Sequence, residues 1–332
     1  MSGTRRSFVQ SLAALCGAIP TLSAAQAGAQ AYPSRRITVI ASYPPGGGTD
    51  LLARLVATKL AERWNVPTVV ENRVGGNGVV GARAAASATP DGYTLYVGSS
   101  NLVIMLASLY SNLSVSALRD YEPISPIANQ HSVLVVHPSV PASTLGEFIA
   151  LVKSRPGVFN FASPGVGSYD HLAMLMFQAR NRTDATHVPY KGSGEAVAAV
   201  LGGGDVSVMF GSIGTVTPLV RSGRLRALAI TAPARSPALP EVPTTAEAGL
   251  PDFVIFSWNG VFAPAGTPRD IVAKIGREVE TILKLPDVSE RLSSLGFVAA
   301  GSGPEQFAAQ IQSELDGWAR TLKSLGIDQQ KL

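Results

Sequence analysis

The stretch 41-ASYPPGGGTDLLARL-55 decides how the rest of this chain is read. Three glycines, Gly46 to Gly48, stand between an apolar β-branched run, Ile37 to Ala41, and a segment with Leu51, Leu52, Leu55, Val56 and Leu60 at helical spacing. A strand that turns into a helix through glycine is the kind of corner at which open parallel sheets bind ligands. Without Cβ atoms, glycines let main-chain N–H groups approach a ligand, and Thr49 and Asp50 stand where a helix begins. The unpaired amides of a first helical turn, with the helix dipole, favour an anion by about 0.3 to 1 kcal/mol, and by up to ~2 kcal/mol when partly buried. The corner therefore reads as an anion cradle. Neither G-x-x-x-x-G-K-[ST] nor G-x-G-x-x-G fits it, which argues against nucleotide phosphate. The competing reading is a glycine turn that merely packs a helix on a strand.

A second corner repeats the pattern. Phe159 to Ala162 leads into 163-SPGVGSYDH-171, after which Leu172, Met174, Leu175 and Phe177 continue as a helix. A third, polar turn follows a strand at 98-GSSN-101. Two strand–glycine–helix corners, one in each half of the chain, could face each other across a cleft, which weakens the packing-only reading.

Between these corners, apolar β-branched runs alternate with helical patterns, the signature of an α/β protein with mainly parallel sheets. The strand candidates are 37–41, 68–70, 94–97, 133–136, 159–162, 186–188, 206–210, 225–230 and 256–262. A helix over 145–154 is introduced by Thr144 and Glu147 at capping-box spacing. Another follows Thr267-Pro268 and carries Ile271, Val272, Ile275, Val279, Ile282 and Leu283 on one face. A chain that leaves one sheet, builds a second and returns would cross near 130 and again near 255. This gives lobes of 32–130 plus 256–332 and of 131–255.

The chain has 332 residues, 46% hydrophobic and 15% charged, enough to bury a large core. Residues 1–31 read as an export signal: Arg5-Arg6, an apolar stretch from Leu12 to Leu22, and Ala29-Gln30-Ala31 as a cleavage pattern. The context Thr4 to Val9 also fits a twin-arginine signal. The apolar stretch contains Pro20 and falls well short of the ~20 residues a spanning helix needs. Cleavage near Ala31 predicts a periplasmic mature protein. Cys16, the single cysteine, lies inside this segment, and the bulky Leu15 before it argues against lipid attachment. Loss of Arg5 and Arg6 leaves 25 basic against 23 acidic residues. That balance, without a basic run, excludes a nucleic-acid footprint.

Catalytic patterns are absent. His171 stands near Ser168 and Asp170, but neighbours at a helix start point in different directions, and no G-x-S-x-G elbow exists. His131, His137 and His187 lie on or beside predicted strands and read as hydrogen-bonded structural residues. No spacing suits a metal, and no cofactor is expected.

These residues resemble a known family, the solute-binding proteins of tripartite tricarboxylate transporters, often called Bug proteins. The resemblance runs from Tyr32-Pro33 to the C-terminus. It is carried by Pro44 to Asp50, Val70 to Arg73 with Gly75 to Gly78, Pro90 to Thr94, Gly165 to His171, His187 to Gly192, Gly223 to Leu228, Pro240 to Gly249 and Ala263 to Pro268. Each motif is weak alone; eight in order are specific. The resemblance implies a periplasmic-binding-protein fold of type II, with two α/β lobes joined by two crossover strands and a ligand cleft between them. It further implies a monomer that is not an enzyme, captures a small carboxylate and hands it to integral-membrane permease subunits. Sensing for a two-component system is the alternative, and a periplasmic hydrolase a remoter one.

Carried over by position, the first-lobe grip falls on Pro45, Gly46, Gly47, Thr49 and Asp50. Gly165, Gly167, Ser168, Tyr169 and His171 form the second-lobe corner. Ser99, Ser100 and Asn101, with Asn72 to Gly78, would line the first lobe; Tyr190 to Gly192 and Gly211-Ser212 would line the other. Tyr169 and Asp170 depart from the small hydroxyl residues common in the family, and Asp170 is expected to cap the helix and point to solvent, or else to pair with an amine on the ligand. Gly211-Ser212 in place of Asp-Asn, and an apolar 102–107, imply a roomier, greasier pocket suited to a monocarboxylate with an apolar or aromatic body.

Overall fold

A computed structural model describes residues 32–329; the export signal expected at 1–31 lies outside them. The first corner leads the fold. Strand β1 (Ile37–Ala41) is buried on both faces, as its unbroken β-branched run requires of a central parallel strand. It is flanked in parallel by β2 (Thr68–Asn72) and β3 (Thr94–Ser99). Helix α1 (Gly48–Trp64) returns over this sheet with Leu52, Val56 and Leu60 buried at i, i+4 and i+8. Helix α2 (Val79–Ala86) follows a 3₁₀ turn, Gly76–Gly78. After β3 comes a π-helical segment, Asn101–Leu106, running into the short α3 (Ala107–Leu109).

Strand β4 (Tyr121–Val136) is the spine of the molecule. Up to His131 it pairs antiparallel with β9 (Phe256–Pro264), which in turn pairs with β3. From Ser132 it changes partners, to β7 (Val206–Ser212) on one side and β8 (Arg226–Ile230) on the other. Strand β5 (Phe159–Ser163) joins β7 to the edge strand β6 (Ala185–Pro189), both in parallel. The short β10 (Val298–Ala299) pairs with β4 at Ala128 and Asn129. The sheet is thus mixed, parallel toward both ends and antiparallel at its centre, where β4 runs from one half into the other.

The remaining helices are α4 (Leu145–Ser154), α5 (Tyr169–Asn181), α6 (Ser193–Leu201), α7 (Ile213–Arg221), α8 (Arg269–Leu283), α9 (Pro286–Ser294) and α10 (Pro304–Ser324). The capping box of α4 forms as its spacing dictates, Thr144 Oγ1 accepting from the Glu147 amide and Glu147 reaching back to the Thr144 amide. All nine expected strands exist. What the pattern misses is the two-residue β10 and the first three-quarters of β4. Pro123 and Pro126 argue against a strand there because proline cannot donate to the ladder, and the structure accommodates them by register shifts at Pro123/Ser125 and Pro126/Ala128.

Three apolar clusters hold the sheet. One packs α1 and α8 on β1 and β3, and another packs α6 and α7 on the far half. The third runs from one half to the other and includes Tyr96, Trp258, Phe262 and Phe307 together with Phe161, Phe177 and Phe210.

Candidate functional site

Both glycine corners open on one cavity of about 480 Å³ between the halves of the sheet. At the first corner, α1 starts with Gly47 as N-cap and no side-chain cap. The first amides of a helix have no partner within it, and here Gly47, Gly48 and Thr49 line the cavity wall. Behind that wall Asp50 is 1% exposed and saturated. It accepts from the Gly46 amide (2.9 Å), from Arg54 Nε (2.9 Å) and Nη2 (2.9 Å), and from Asn72 Nδ2 (2.8 Å). Burial alone would raise the pKa of Asp50, but the bonds from Arg54, Gly46 and Asn72 hold it below the usual carboxylate value. Asn72 Nδ2 also donates to the Tyr43 carbonyl (3.0 Å). Gly46, Asp50 and Asn72, expected to touch ligand, do not line the cavity; bonded to one another, they fix the shape of the turn that presents Gly48 and Thr49. Thr49 Oγ1 donates to Asn259 Oδ1 of β9 (2.8 Å), tying the corner to the spine.

At the second corner Ser168 caps α5, its Oγ accepting from the His171 amide (3.3 Å). Gly167, at φ +77°, does not offer a bare amide: its N–H donates to His171 Nδ1 (3.1 Å). His171 stacks on His187 at 3.9 Å, and His187 Nε2 shares a hydrogen bond with Ser163 Oγ (2.7 Å). Burial, and then the neighbouring His187, push His171 down to about 4. His171 is therefore a neutral acceptor that shapes the turn and does not line the cavity. The structural role expected of His187 is the one it has.

Asp170 does not point to solvent. The cap position is already filled by Ser168, and Asp170 lines the cavity with Oδ1 accepting from Ser132 Oγ of β4 (2.7 Å). Burial, with only partial relief from Ser132, pushes its carboxyl up to about 6.

The two shifts have opposite signs for stability. Asp170 holds its proton in the fold from its ordinary 3.8 up to about 6, so its contribution is full below pH 4 and lost as pH rises through 6. His171 resists protonation between its ordinary 6.5 and about 4, so its contribution is full above pH 6.5 and lost as pH falls through 4. At 1.36 kcal/mol per pH unit each amounts to about 3 kcal/mol. Urea unfolding should find Asp170→Asn stabilising relative to wild type by roughly 3 kcal/mol at pH 7.5 and neutral at pH 4. His171→Gln should show the opposite trend, gaining on wild type as pH falls. Parallel pH profiles for wild type and both variants would contradict this account.

Of the expected contacts, the cavity gathers Gly47, Thr49, Asn77, Ser99 and Asn101 on one side and Gly165, Ser168, Tyr169, Lys191 and Gly192 on the other. Four helix starts converge there: α1, the π-helical segment, α5 and α6. The other expected contacts fall elsewhere. Pro45 is exposed and off the wall. Ser100 is fully buried and accepts from the Trp258 amide (2.9 Å). The Tyr190 amide donates to the Ser163 carbonyl (3.0 Å), and its ring packs on the core of the far half. Gly211 lies in β7 with Val216 against its face, and Ser212 Oγ bonds Thr215 Oγ1 (2.8 Å) at the start of α7. The expected roominess at Gly211-Ser212 therefore does not reach the ligand space.

The apolar lining comes from Leu106, within the apolar 102–107 stretch, and from Val166, Trp258 and Phe297, with Gln130, Ser193 and Asn259 as added polar groups. Trp258 and Asn259 sit mid-strand, and Phe297 in a loop before β10, where no local motif marks them. Trp258 is anchored by Glu314 of α10, whose two carboxylate oxygens accept from its Nε1 (3.0 and 2.9 Å). Tyr169 reaches across to α10 as well, edge-on to Trp318 at 5.7 Å. Among the described residues, no group of three or more His, Cys, Asp or Glu is placed to hold a metal. No helix among them is long and apolar enough to cross a membrane.

Residues 52–327 match the profile of the tripartite tricarboxylate transporter family receptors, and the chain belongs to that family. It is 38% identical over 304 residues to protein BugT of Bordetella pertussis, an alignment covering 91% of this chain and 93% of BugT. Among solved structures it is similar to R. palustris Rpa4515 determined with adipate, at 30% identity and TM-score 0.81 over 90% of this chain and 100% of that one. MatC of Rhodopseudomonas palustris, determined with bound malate, superposes with TM-score 0.75 at 34% identity over 88% of this chain and 100% of MatC. The α/β architecture is that of the periplasmic solute-binding proteins, and the chain is a receptor rather than an enzyme.

Proposed function

We propose that this protein is a periplasmic receptor that encloses a small carboxylate between two lobes and delivers it to a membrane permease of the tripartite tricarboxylate type. The supporting observation is the convergence of four helix starts on one cavity, with the Gly48 and Thr49 amides in its wall. Oriented amides in a partly desolvated cleft favour a negative group. The adipate and malate found with its structural relatives are dicarboxylates, which share the carboxylate end that such amides bind. In this reading residues 1–31 are removed near Ala31, and the lobes are 32–130 plus 256–332 and 131–255. Closure hinges at the two crossovers, within β4 near residue 130 and just before β9 near residue 255, and ligand shifts the balance toward the closed form.

The ligand is a monocarboxylate with an apolar or aromatic body. Leu106, Trp258 and Phe297 supply the apolar enclosure, and among the described residues Lys191 is the one cationic side chain in the lining, too little positive charge for a tricarboxylate. Micromolar binding corresponds to about 8 kcal/mol, within reach of a few charge-assisted hydrogen bonds plus apolar burial. A thermal-shift screen of carboxylic acids, followed by isothermal titration, should find aromatic or aliphatic monocarboxylates binding and citrate not. Tight citrate binding with no response to the monocarboxylates would contradict it.

A further inference from the structure

Among the described residues, Asp170 is the one carboxyl side chain in the lining of the cavity. Its neighbours do not satisfy it. Oδ1 accepts from Ser132, and among the described residues Oδ2 has no hydrogen-bond partner and no cation is paired with the group. The other charged groups around the cleft leave it alone. Lys191, from the turn between β6 and α6, lines the same space with no ion pair to it. Asp50 is sealed behind the opposite wall by Arg54 and Asn72, and Glu314 is turned to Trp258 and Gln310. The buried His131, next to Ser132, faces the Thr231 carbonyl.

Nor does the helix need this carboxyl, since Ser168 already caps α5. A half-buried carboxylate without a cation is costly, and a neutral Asn would accept the Ser132 bond equally well. What remains is an acceptor presented to whatever fills the cavity.

We propose that Asp170 selects a ligand carrying a hydrogen-bond donor, a hydroxyl or an ammonium group, at the end remote from its carboxylate. The inference rests on the carboxylate reading above and narrows it. The ligand's carboxylate takes the amides of Gly48 and Thr49, its apolar body lies along Trp258 and Phe297, and its donor meets Oδ2 of Asp170. Charge-assisted hydrogen bonds of this kind contribute about 1.5 to 3 kcal/mol net, a preference on the order of 10- to 100-fold over a ligand ending in methyl or hydrogen. A second carboxylate at that end would face Asp170 and be repelled.

The test is a matched panel titrated at pH 7.5 into the mature protein. It consists of butanoate, hexanoate, benzoate and phenylacetate, each beside its terminal or para hydroxyl and amino-bearing counterparts, the amino group protonated where it is aliphatic. The donor-bearing member of the best-bound pair should bind at least tenfold tighter than its parent. In Asp170→Asn and Asp170→Ser the preference for the ammonium compound should fall to threefold or less, while affinity for the parent is unchanged or higher. If parents and donor-bearing acids bind alike in wild type, or the preference survives in both variants, the inference fails and the carboxylate reading stands. If no monocarboxylate in the panel binds, both fail together.

Discussion

Gly167→Ala is expected to lower ligand affinity at least tenfold while leaving a folded protein. Two physical effects coincide at this position. Its φ of +77° is a left-handed conformation that costs an L-residue about 1 to 2 kcal/mol. In addition, a Cβ there would come within 2.5 Å of Leu109 Cδ1. Leu109 ends the segment that follows β3, whereas Gly167 belongs to the corner after β5, so the contact is between the halves. A methyl group at 167 therefore opposes the approach that encloses the ligand, beyond the local strain.

Since the Gly167 amide is committed to His171, no ligand hydrogen bond is lost in this variant, and the effect reports close approach alone. Urea unfolding should show a loss of about 1 to 2 kcal/mol. Isothermal titration should show the affinity loss, and Leu109→Ala in the same chain should restore part of it by making room. Undiminished affinity in Gly167→Ala would mean that the halves do not meet at this point when ligand is bound.

The corners were legible in the sequence because strand, glycine and helix signals are local. Each depends on residues within one turn of one another, and all four segments, 37–41, 48–64, 159–163 and 169–181, appear where the periodicity places them. What local pattern could not supply was which groups face inward. Asp50 and His171 have the chemistry of ligand contacts, and only the packing shows that their hydrogen bonds are spent on Gly46 and Gly167. Asp170 looked like a helix cap until Ser168 proved to hold that place. Trp258, Asn259 and Phe297 come from far along the chain. They reach the cavity through the antiparallel pairing of β9 with β3 and β4 and through the turn before β10, which are long-range contacts that no window of sequence contains. Proline misled the reading of β4 for a related reason, because the bulges that absorb Pro123 and Pro126 depend on the partner strand.

The same distinction sharpens the function. Three glycines at the first corner do different things. Gly46 closes the turn on Asp50 at φ +83°, Gly47 caps the helix, and Gly48 offers an amide into the cavity wall. Gly48 is the position where that amide can be removed with least disturbance to the helix. It is the first helical residue, so its N–H has no helical partner to lose, and proline is favoured there. Gly47 before it is extended, at φ −74° and ψ 163°, as a residue preceding proline should be. Any Cβ at 48 would sit 3.1 Å from the edge of the Phe297 ring, so Gly48→Ala shares that crowding and keeps the amide.

The decisive measurement is isothermal titration of the tightest-binding carboxylate into wild type, Gly48→Ala and Gly48→Pro, with melting temperatures recorded alongside. A charge-assisted bond from a main-chain amide contributes about 1.5 to 3 kcal/mol, so Gly48→Pro should bind on the order of 10- to 100-fold more weakly than Gly48→Ala at a similar melting temperature. Equal affinities in the two variants would show that the carboxylate is not held at the start of α1.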